Sequence, residues 1–209
     1  MNNLLLSNTL DATTILVCLF ITARVCFVYP KVLSLRILVL GLALGTITLT
    51  AIADLVSTNV ASAAAHLEWF LYIGQMAAFL YILLSLVNDS EAYLHRLVRS
   101  QVLVAILLVC LLLFSFTLPP FPGNIIREIL GMARFVACIG IGFYYIFGLM
   151  KRQTRFSLLM AVSFLALAIG YQMDVQQYFV PLYTELFDSA GDISRLLGFL
   201  ALLGAILVG

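Results

Sequence analysis

Seven long apolar stretches dominate the sequence and constrain its fold more than any other feature. A helix of about 20 apolar residues crosses the roughly 30 Å hydrocarbon core of a bilayer, and each stretch meets or approaches that length. The stretches cover Leu10–Tyr29, Leu35–Val56, His66–Val87, Leu97–Leu118, Ile125–Met150, Phe156–Gln176 and Ile193–Val208. The sequence therefore predicts an all-α integral membrane protein, with residues 1–209 forming a single domain built as a bundle of seven transmembrane helices.

The composition excludes an ordinary soluble domain. Hydrophobic residues make up 64% of the chain and charged residues 10%, against roughly 45–50% and 25% in soluble domains. The net charge of +1 provides no basic face for nucleic acid. We expect the lipid bilayer to surround the chain, with a protein partner in the membrane or on its cytoplasmic side, and no nucleic acid.

The connections between the stretches carry helix-breaking and helix-starting signals. Pro30 is expected to separate the first helix from the second, because proline lacks a backbone donor. Residues 88–91 (Asn-Asp-Ser-Glu) predict a helix start and a short surface helix before the fourth span. The connection 177–191 contains Pro181 and alternates aromatic with acidic residues, which favours a short amphipathic helix on the membrane surface.

One close-packing motif, a GxxxG, lies in the second stretch at Gly41 and Gly45. Such a spacing lets two helix backbones approach closely. The preferred interpretation is ordinary packing inside the bundle, and the alternative is a dimer face.

The distribution of basic residues predicts the orientation, because cytoplasmic flanks are enriched in Lys and Arg. When the connections are grouped alternately, one side receives eight basic residues: Arg24, Lys31, Arg36, Arg96, Arg99, Lys151, Arg152 and Arg155. The other side receives only Arg127 and Arg195, together with eight of the ten acidic residues. We therefore expect the N-terminus outside the cell and the C-terminus in the cytoplasm, with the chain crossing a plasma or inner membrane seven times.

Arg134 is the most conspicuous charge at membrane depth. It lies about two and a half turns inside the fifth span, and a charged group at such depth is costly and by default a candidate functional residue. Arg127 lies seven residues earlier, near the same helical face. The two arginines predict a line of positive charge leading inward from the outer surface.

Four further polar residues could neutralise or extend this charge. Asp54 closes the second span, Glu68 opens the third, and Asp174 lies near the end of the sixth. Gln75, seven residues after Glu68, continues the polar face inward. Together with Arg134 and Arg127, these residues predict an outward-facing polar pocket that binds a ligand. The alternative is a structural ion pair between two helices, formed by Arg134 with Asp174 or Glu68.

No catalytic or metal-binding signature is present in the sequence. The chain has no HExxH or GxSxG motif, and the two histidines, His66 and His95, fall on opposite sides of the predicted bundle, so they cannot share a metal or a haem. No lysine lies within a span to carry a retinal Schiff base. We predict a protein that is not an enzyme, with no metal site and with no cofactor that the sequence identifies.

Three functions fit these features. The preferred one is a receptor-like sensory module that transduces a signal across the membrane from the outer pocket. The alternative is an accessory or structural subunit of a larger membrane complex, to which the short loops are suited. The third is a small-solute transporter or channel, which the sequence favours least, because Gly140 and Gly142 form the only close mid-helix glycine pair and no matching break occurs in another half.

Overall fold

The computed structural model describes residues 2–119, 121 and 123–208, and the regular elements within them are helical. The long helices are α1 (Asn2–Val32), α2 (Leu35–Asn59), α3 (Ala61–Val87), α4 (Glu91–Leu113), α5 (Gly123–Arg152), α6 (Arg155–Phe179) and α7 (Thr184–Val208). Two short 3-10 turns, Ser115–Thr117 and Pro181–Tyr183, lie in the connections. Within the described chain, seven helices are long and apolar enough to span a membrane. The prediction of an all-helical, multi-pass membrane protein is confirmed at this level.

The first helix ends later than the sequence predicts. Helix α1 continues through Pro30 and stops at Val32. The break falls at Leu33, whose φ of 52° is left-handed and whose N–H donates to Tyr29 O at 2.8 Å. Pro30 is tolerated because, in the last turn of a helix, the loss of its N–H removes a single helical hydrogen bond.

The fourth helix begins earlier and ends earlier than predicted. Helix α4 starts at Glu91, directly after the N-cap residue Ser90, and runs without interruption to Leu113. The short surface helix expected before the fourth span is therefore the first part of α4 itself. The predicted extension to Leu118 is replaced by the 3-10 turn at Ser115–Thr117.

The seventh helix is nine residues longer at its start than the predicted span. Helix α7 begins at Thr184, whereas the apolar run begins only at Ile193. The predicted amphipathic surface helix over 177–191 is wrong, because α6 extends to Phe179 and α7 takes over after one 3-10 turn. As a result, Asp192 and Arg195 lie inside a membrane-length helix, more than two turns from its start.

The chain divides into two compact units, each described by itself. The C-terminal unit contains Met1–Val17 and Asn124–Gly209, and the central unit contains Cys18–Gly123. The single domain predicted over the whole chain stays a prediction.

The central unit is held together by apolar contacts among α2, α3 and α4 and by a few buried polar bonds. One buried cluster joins Val39 of α2 to Leu94 and Leu97 of α4. The Gln101 amide Nε2 donates to Val39 O at 3.1 Å, which ties α4 to α2 with a polar bond in an apolar environment.

The GxxxG motif of α2 packs within the central unit. A Cβ at Gly41 would lie 2.7 Å from Val25 Cγ1 of α1, and one at Gly45 would lie 3.6 Å from Thr22 Cγ2 of the same helix. The motif therefore faces α1, which confirms ordinary packing as its role.

In the C-terminal unit, α6 packs extensively against α7. The unit's largest fully buried side chains include Phe164, Leu167 and Tyr171 of α6 and Phe199 and Leu202 of α7. At one end of this pair the chain is basic, since α5 ends at Lys151-Arg152 and α6 begins at Arg155. The other end carries the acidic residues of α6 and α7, and it contains the candidate site.

Candidate functional site: a buried ion-pair cluster between α6 and α7

An arginine of α7 is shared between carboxylates of two helices. Arg195 Nη1 donates to Asp174 Oδ2 of α6 at 2.7 Å, and Arg195 Nη2 pairs with Asp192 Oδ1, one turn earlier on α7. The side chains of Asp174 and Arg195 are 14% and 18% exposed, and that of Asp192 is 8% exposed. Arg195 therefore joins α6 to α7 through a largely buried, charge-assisted bridge.

A buried tyrosine lies between two guanidinium groups. The Tyr171 ring, 1% exposed, has Arg134 Cζ 4.9 Å from its centroid and Arg195 Cζ 5.8 Å from it. Both distances allow cation–π attraction, which is strengthened where water is excluded. Arg134 of α5 is thereby held at the edge of the cluster, and its side chain is 4% exposed.

Two glycines bring the backbones of α6 and α7 close enough for this bridge. A Cβ at Gly191 would lie 2.9 Å from Asp174 Oδ1 and 3.3 Å from Gly170 O, and a Cβ at Gly170 would lie 2.6 Å from Arg195 Cγ. Both distances to side-chain atoms are shorter than a van der Waals contact. The space that the two glycines leave is the space in which Asp174 and Arg195 meet.

A second polar bond fixes the register of the two helices beside the cluster. Ser194 Oγ donates to Ala166 O of α6 at 2.8 Å. Ser194 directly precedes Arg195 on α7, and Ala166 lies about two turns before Asp174 on α6. The hydroxyl therefore holds α7 against α6 at a second point close to the ion pair. The bridge is therefore a defined contact between two helices and not a loose surface pair.

One acceptor atom of the cluster is left without a hydrogen-bond donor. Asp174 Oδ1 is buried and has no donor among the residues that the structure describes, although Asp174 Oδ2 is bound by Arg195. A buried carboxylate oxygen without a donor carries a desolvation cost. The atom is consequently a position at which a donor from outside the described chain would be stabilised.

Three predicted site residues, Arg134, Asp174 and Arg127, lie in the C-terminal unit. Arg134 and Asp174 belong to one local group, since Arg134 lies over Tyr171, three residues before Asp174 on α6. The hydrogen-bonded cation of Asp174 is Arg195. Arg127 lies in the second turn of α5, and its Nε atom is buried.

The other three predicted site residues lie in the central unit. Asp54 is in the last two turns of α2, and its backbone oxygen accepts hydrogen bonds from Ser57 Oγ at 2.8 Å and Thr58 Oγ1 at 3.0 Å. Glu68 lies two turns into α3, and Gln75 is 6% exposed. That all six residues line one pocket stays a prediction.

Hydropathy and charge counting do not identify three residues of the cluster, Arg195, Asp192 and Tyr171, as site residues. In sequence, Arg195 belongs to the outer flank, because the apolar run of the seventh span begins only two residues before it. The spacing of Asp192 and Arg195, three residues apart, was the available signal, since it places opposite charges on one helical face. Tyr171, three residues before Asp174, could have been found by the same reasoning.

Among the described residues, no group of three or more His, Cys, Asp or Glu side chains is arranged to hold a metal ion. Comparison with protein-family models, with curated proteins and with solved structures finds no match to this chain.

Proposed function

We propose that this protein is a receptor-like sensory module of a cell membrane, in which the ion-pair cluster controls the position of α7 relative to α6. The observation that carries the proposal is the unequal bonding of the two carboxylate oxygens of Asp174. One oxygen binds Arg195, and the other is buried without a donor among the described residues. A ligand that donates to this second oxygen draws on the same carboxylate charge as Arg195, competes with Arg195 for that charge and weakens the bridge. Such competition gives the ligand a different affinity for the bridged and unbridged arrangements, which is what a conformational switch requires.

The proposed orientation follows from the charge distribution. Lys151, Arg152 and Arg155 mark the cytoplasmic end of the C-terminal unit under the rule that basic flanks face the cytoplasm. Asp174 lies 19 residues after Arg155, about 28 Å along α6, so the cluster is at the outer end. With the N-terminus outside and seven crossings, α7 runs from the cluster to the cytoplasmic side and is the element that carries the signal.

The experiment measures the separation of α6 and α7 at the end opposite the cluster. Spin labels are attached to Leu158→Cys and Leu207→Cys, two exposed positions near the basic end, after the four native cysteines have been replaced by alanine. The distance distribution is recorded by pulsed electron spin resonance in lipid nanodiscs. We expect Asp174→Asn to shift the population towards a second distance, because the amide does not hold Arg195 as an anion does.

Two controls keep the result interpretable. Glu185→Gln removes an exposed acid from the start of the same helix and should leave the distribution unchanged. A pH titration of the otherwise unmodified labelled chain tests the same bridge without a substitution in the cluster, since acid protonates carboxylates. A single distance in Asp174→Asn and at every pH would overturn the switch.

A fixed distance would instead favour the accessory-subunit function, in which the cluster only stabilises helix packing. That function makes a separate prediction, namely that a stoichiometric protein partner accompanies the chain through purification from its native membrane in mild detergent. Purification as a single protein, combined with two exchanging distances, supports the sensory function over the subunit function.

A further inference from the structure

A cavity with a polar and an apolar part lies at the basic end of the C-terminal unit, away from the ion-pair cluster. Its volume is about 560 Å³, within the roughly 300–1,000 Å³ range of small-molecule sites. Its lining includes Tyr144, Phe147, Lys151, Arg152, Thr154 and Ser157. Lys151 follows Arg134 by 17 residues, about 25 Å along α5, so the two sites are separate.

The polar part of the cavity is cationic and carries hydroxyl groups. Lys151 and Arg152 are exposed at the end of α5, and no acidic residue is among the described lining residues. Lys and Arg are the side chains that bind phosphate oxygens, Arg by a planar fork and Lys as a point charge. The electrostatic preference of this cavity is therefore for an anion.

The two hydroxyl groups are held in a fixed arrangement at the start of α6. Thr154 Oγ1 accepts from Ser157 N–H at 3.2 Å and donates to Ser157 Oγ at 2.8 Å. Because Ser157 Oγ already accepts a hydrogen bond, its own proton is directed elsewhere and can be donated to an anionic oxygen. The hydroxyls thus add a directed donor beside the two cations.

The rest of the cavity wall is apolar and faces away from the protein core. Tyr144 and Phe147 are 41% and 61% exposed. With Lys151 they have spacings of three and four residues, which places them on one stripe of α5. An occupant that contacts the whole stripe has an anionic group at Lys151 and a hydrocarbon portion along the aromatic rings.

We propose that this cavity binds a phosphate ester, and that the acidic phospholipids of the surrounding membrane supply it. The phosphate lies against Lys151, Arg152 and the Ser157 hydroxyl, and the lipid tail follows Phe147 and Tyr144 into the bilayer. Basic pockets at the membrane surface recognise anionic headgroups through the same combination of charge and shape. The site does not depend on the function of the Asp174 cluster.

The test compares lipid binding by two matched double variants. Native mass spectrometry of the full chain in detergent measures the dissociation constants for phosphatidylglycerol and phosphatidylcholine. We expect the wild type to bind phosphatidylglycerol more tightly than phosphatidylcholine. In Lys151→Gln/Arg152→Gln, the binding of phosphatidylglycerol should be weakened about 10- to 30-fold. Arg96→Gln/Arg99→Gln removes two exposed basic residues of α4, the same amount of charge outside the cavity, and should retain the wild-type constant.

Three outcomes decide the proposal. Equal weakening in both double variants would overturn it, because general surface charge would then explain the binding. Displacement of phosphatidylglycerol by millimolar inorganic phosphate would support the phosphate chemistry but reject the lipid as its source. Ser157→Ala keeps both cations and tests the hydroxyl separately; we expect a several-fold loss of phosphatidylglycerol binding, and an unchanged constant would exclude the hydroxyl from the site.

Discussion

A single methyl group at Gly170 should separate α6 from α7. In Gly170→Ala, the new Cβ would lie 2.6 Å from Arg195 Cγ, 3.0 Å from Gly191 O and 3.2 Å from Arg195 N. Ordinary contacts between carbon atoms are about 3.5–4.0 Å. Two of the three opposing atoms belong to the α7 backbone, so the clash cannot be relieved by rotating a side chain alone.

The expected magnitude comes from comparison with a second glycine of the same helix pair. A Cβ at Gly204 of α7 would lie 3.8 Å from Leu159 Cδ1, an ordinary contact. Both substitutions gain about 0.8–1 kcal/mol of helix propensity, and this gain cancels in the difference between them. Overpacking costs roughly 1–3 kcal/mol, so Gly170→Ala should be less stable than Gly204→Ala by about that amount.

The assay is thermal unfolding of the two purified variants in the same detergent, followed by circular dichroism. A difference of 1 kcal/mol corresponds to roughly 2–4 °C in Tm for a chain of this size. We expect Gly170→Ala to unfold below Gly204→Ala and below the wild type. Equal melting temperatures would refute the argument that the close approach of α6 and α7 at Gly170 is fully packed.

Three further predictions concern other polar contacts. In a double-mutant cycle, Arg195→Gln should destabilise the chain by about 3–5 kcal/mol, because it leaves Asp174 and Asp192 without their shared cation, and Asp174→Asn should cost less, because Arg195 keeps Asp192 as its partner. The double variant should cost less than the sum of the two single losses, since both single variants remove the same Asp174–Arg195 pair; additive losses in denaturant unfolding would contradict this. Trp69 is the single tryptophan. Its indole N–H donates to a backbone oxygen of the α4–α5 connection at 2.9 Å, and the centroid of its ring lies 4.7 Å from that of Phe121. Its fluorescence emission should therefore shift in Phe121→Ala, and an unchanged spectrum would count against the contact. Gln101→Leu removes one buried hydrogen bond together with a buried oxygen that has no partner among the described residues, so the loss of stability should stay below about 1.5 kcal/mol; a larger loss in the same unfolding assay would show that the amide makes further bonds.

The number of helices could be predicted from the sequence, but several of their ends could not. Hydropathy marks the part of a helix that lies in hydrocarbon, because only there is a polar side chain costly. A helix continues beyond that part wherever its backbone stays hydrogen bonded. Helix α4 therefore begins at Glu91 and α7 at Thr184, well before the apolar runs that start at Leu97 and Ile193.

The candidate site was predictable in part for a related reason. Arg134 and Asp174 are conspicuous in sequence because each is a charge within a span. The hydrogen-bonded partner of Asp174 was not predictable, because it depends on which helices are adjacent and on the space at Gly170 and Gly191. The polar start of α7 also concealed Arg195, which the distribution of basic residues groups with the outer flank.

Under the proposed function, the arrangement of charges at the cluster also determines which kind of ligand the cluster would favour. A pocket centred on an exposed arginine would favour an anion, but Arg195 already lies between two carboxylates and Arg134 lies over the Tyr171 ring. The atom without a donor in the described chain is an acceptor, Asp174 Oδ1. A ligand that completes this site must therefore supply a hydrogen-bond donor. An anion would instead compete with Asp174 for Arg195 and would leave a second carboxylate oxygen buried without a donor, which is the costlier arrangement.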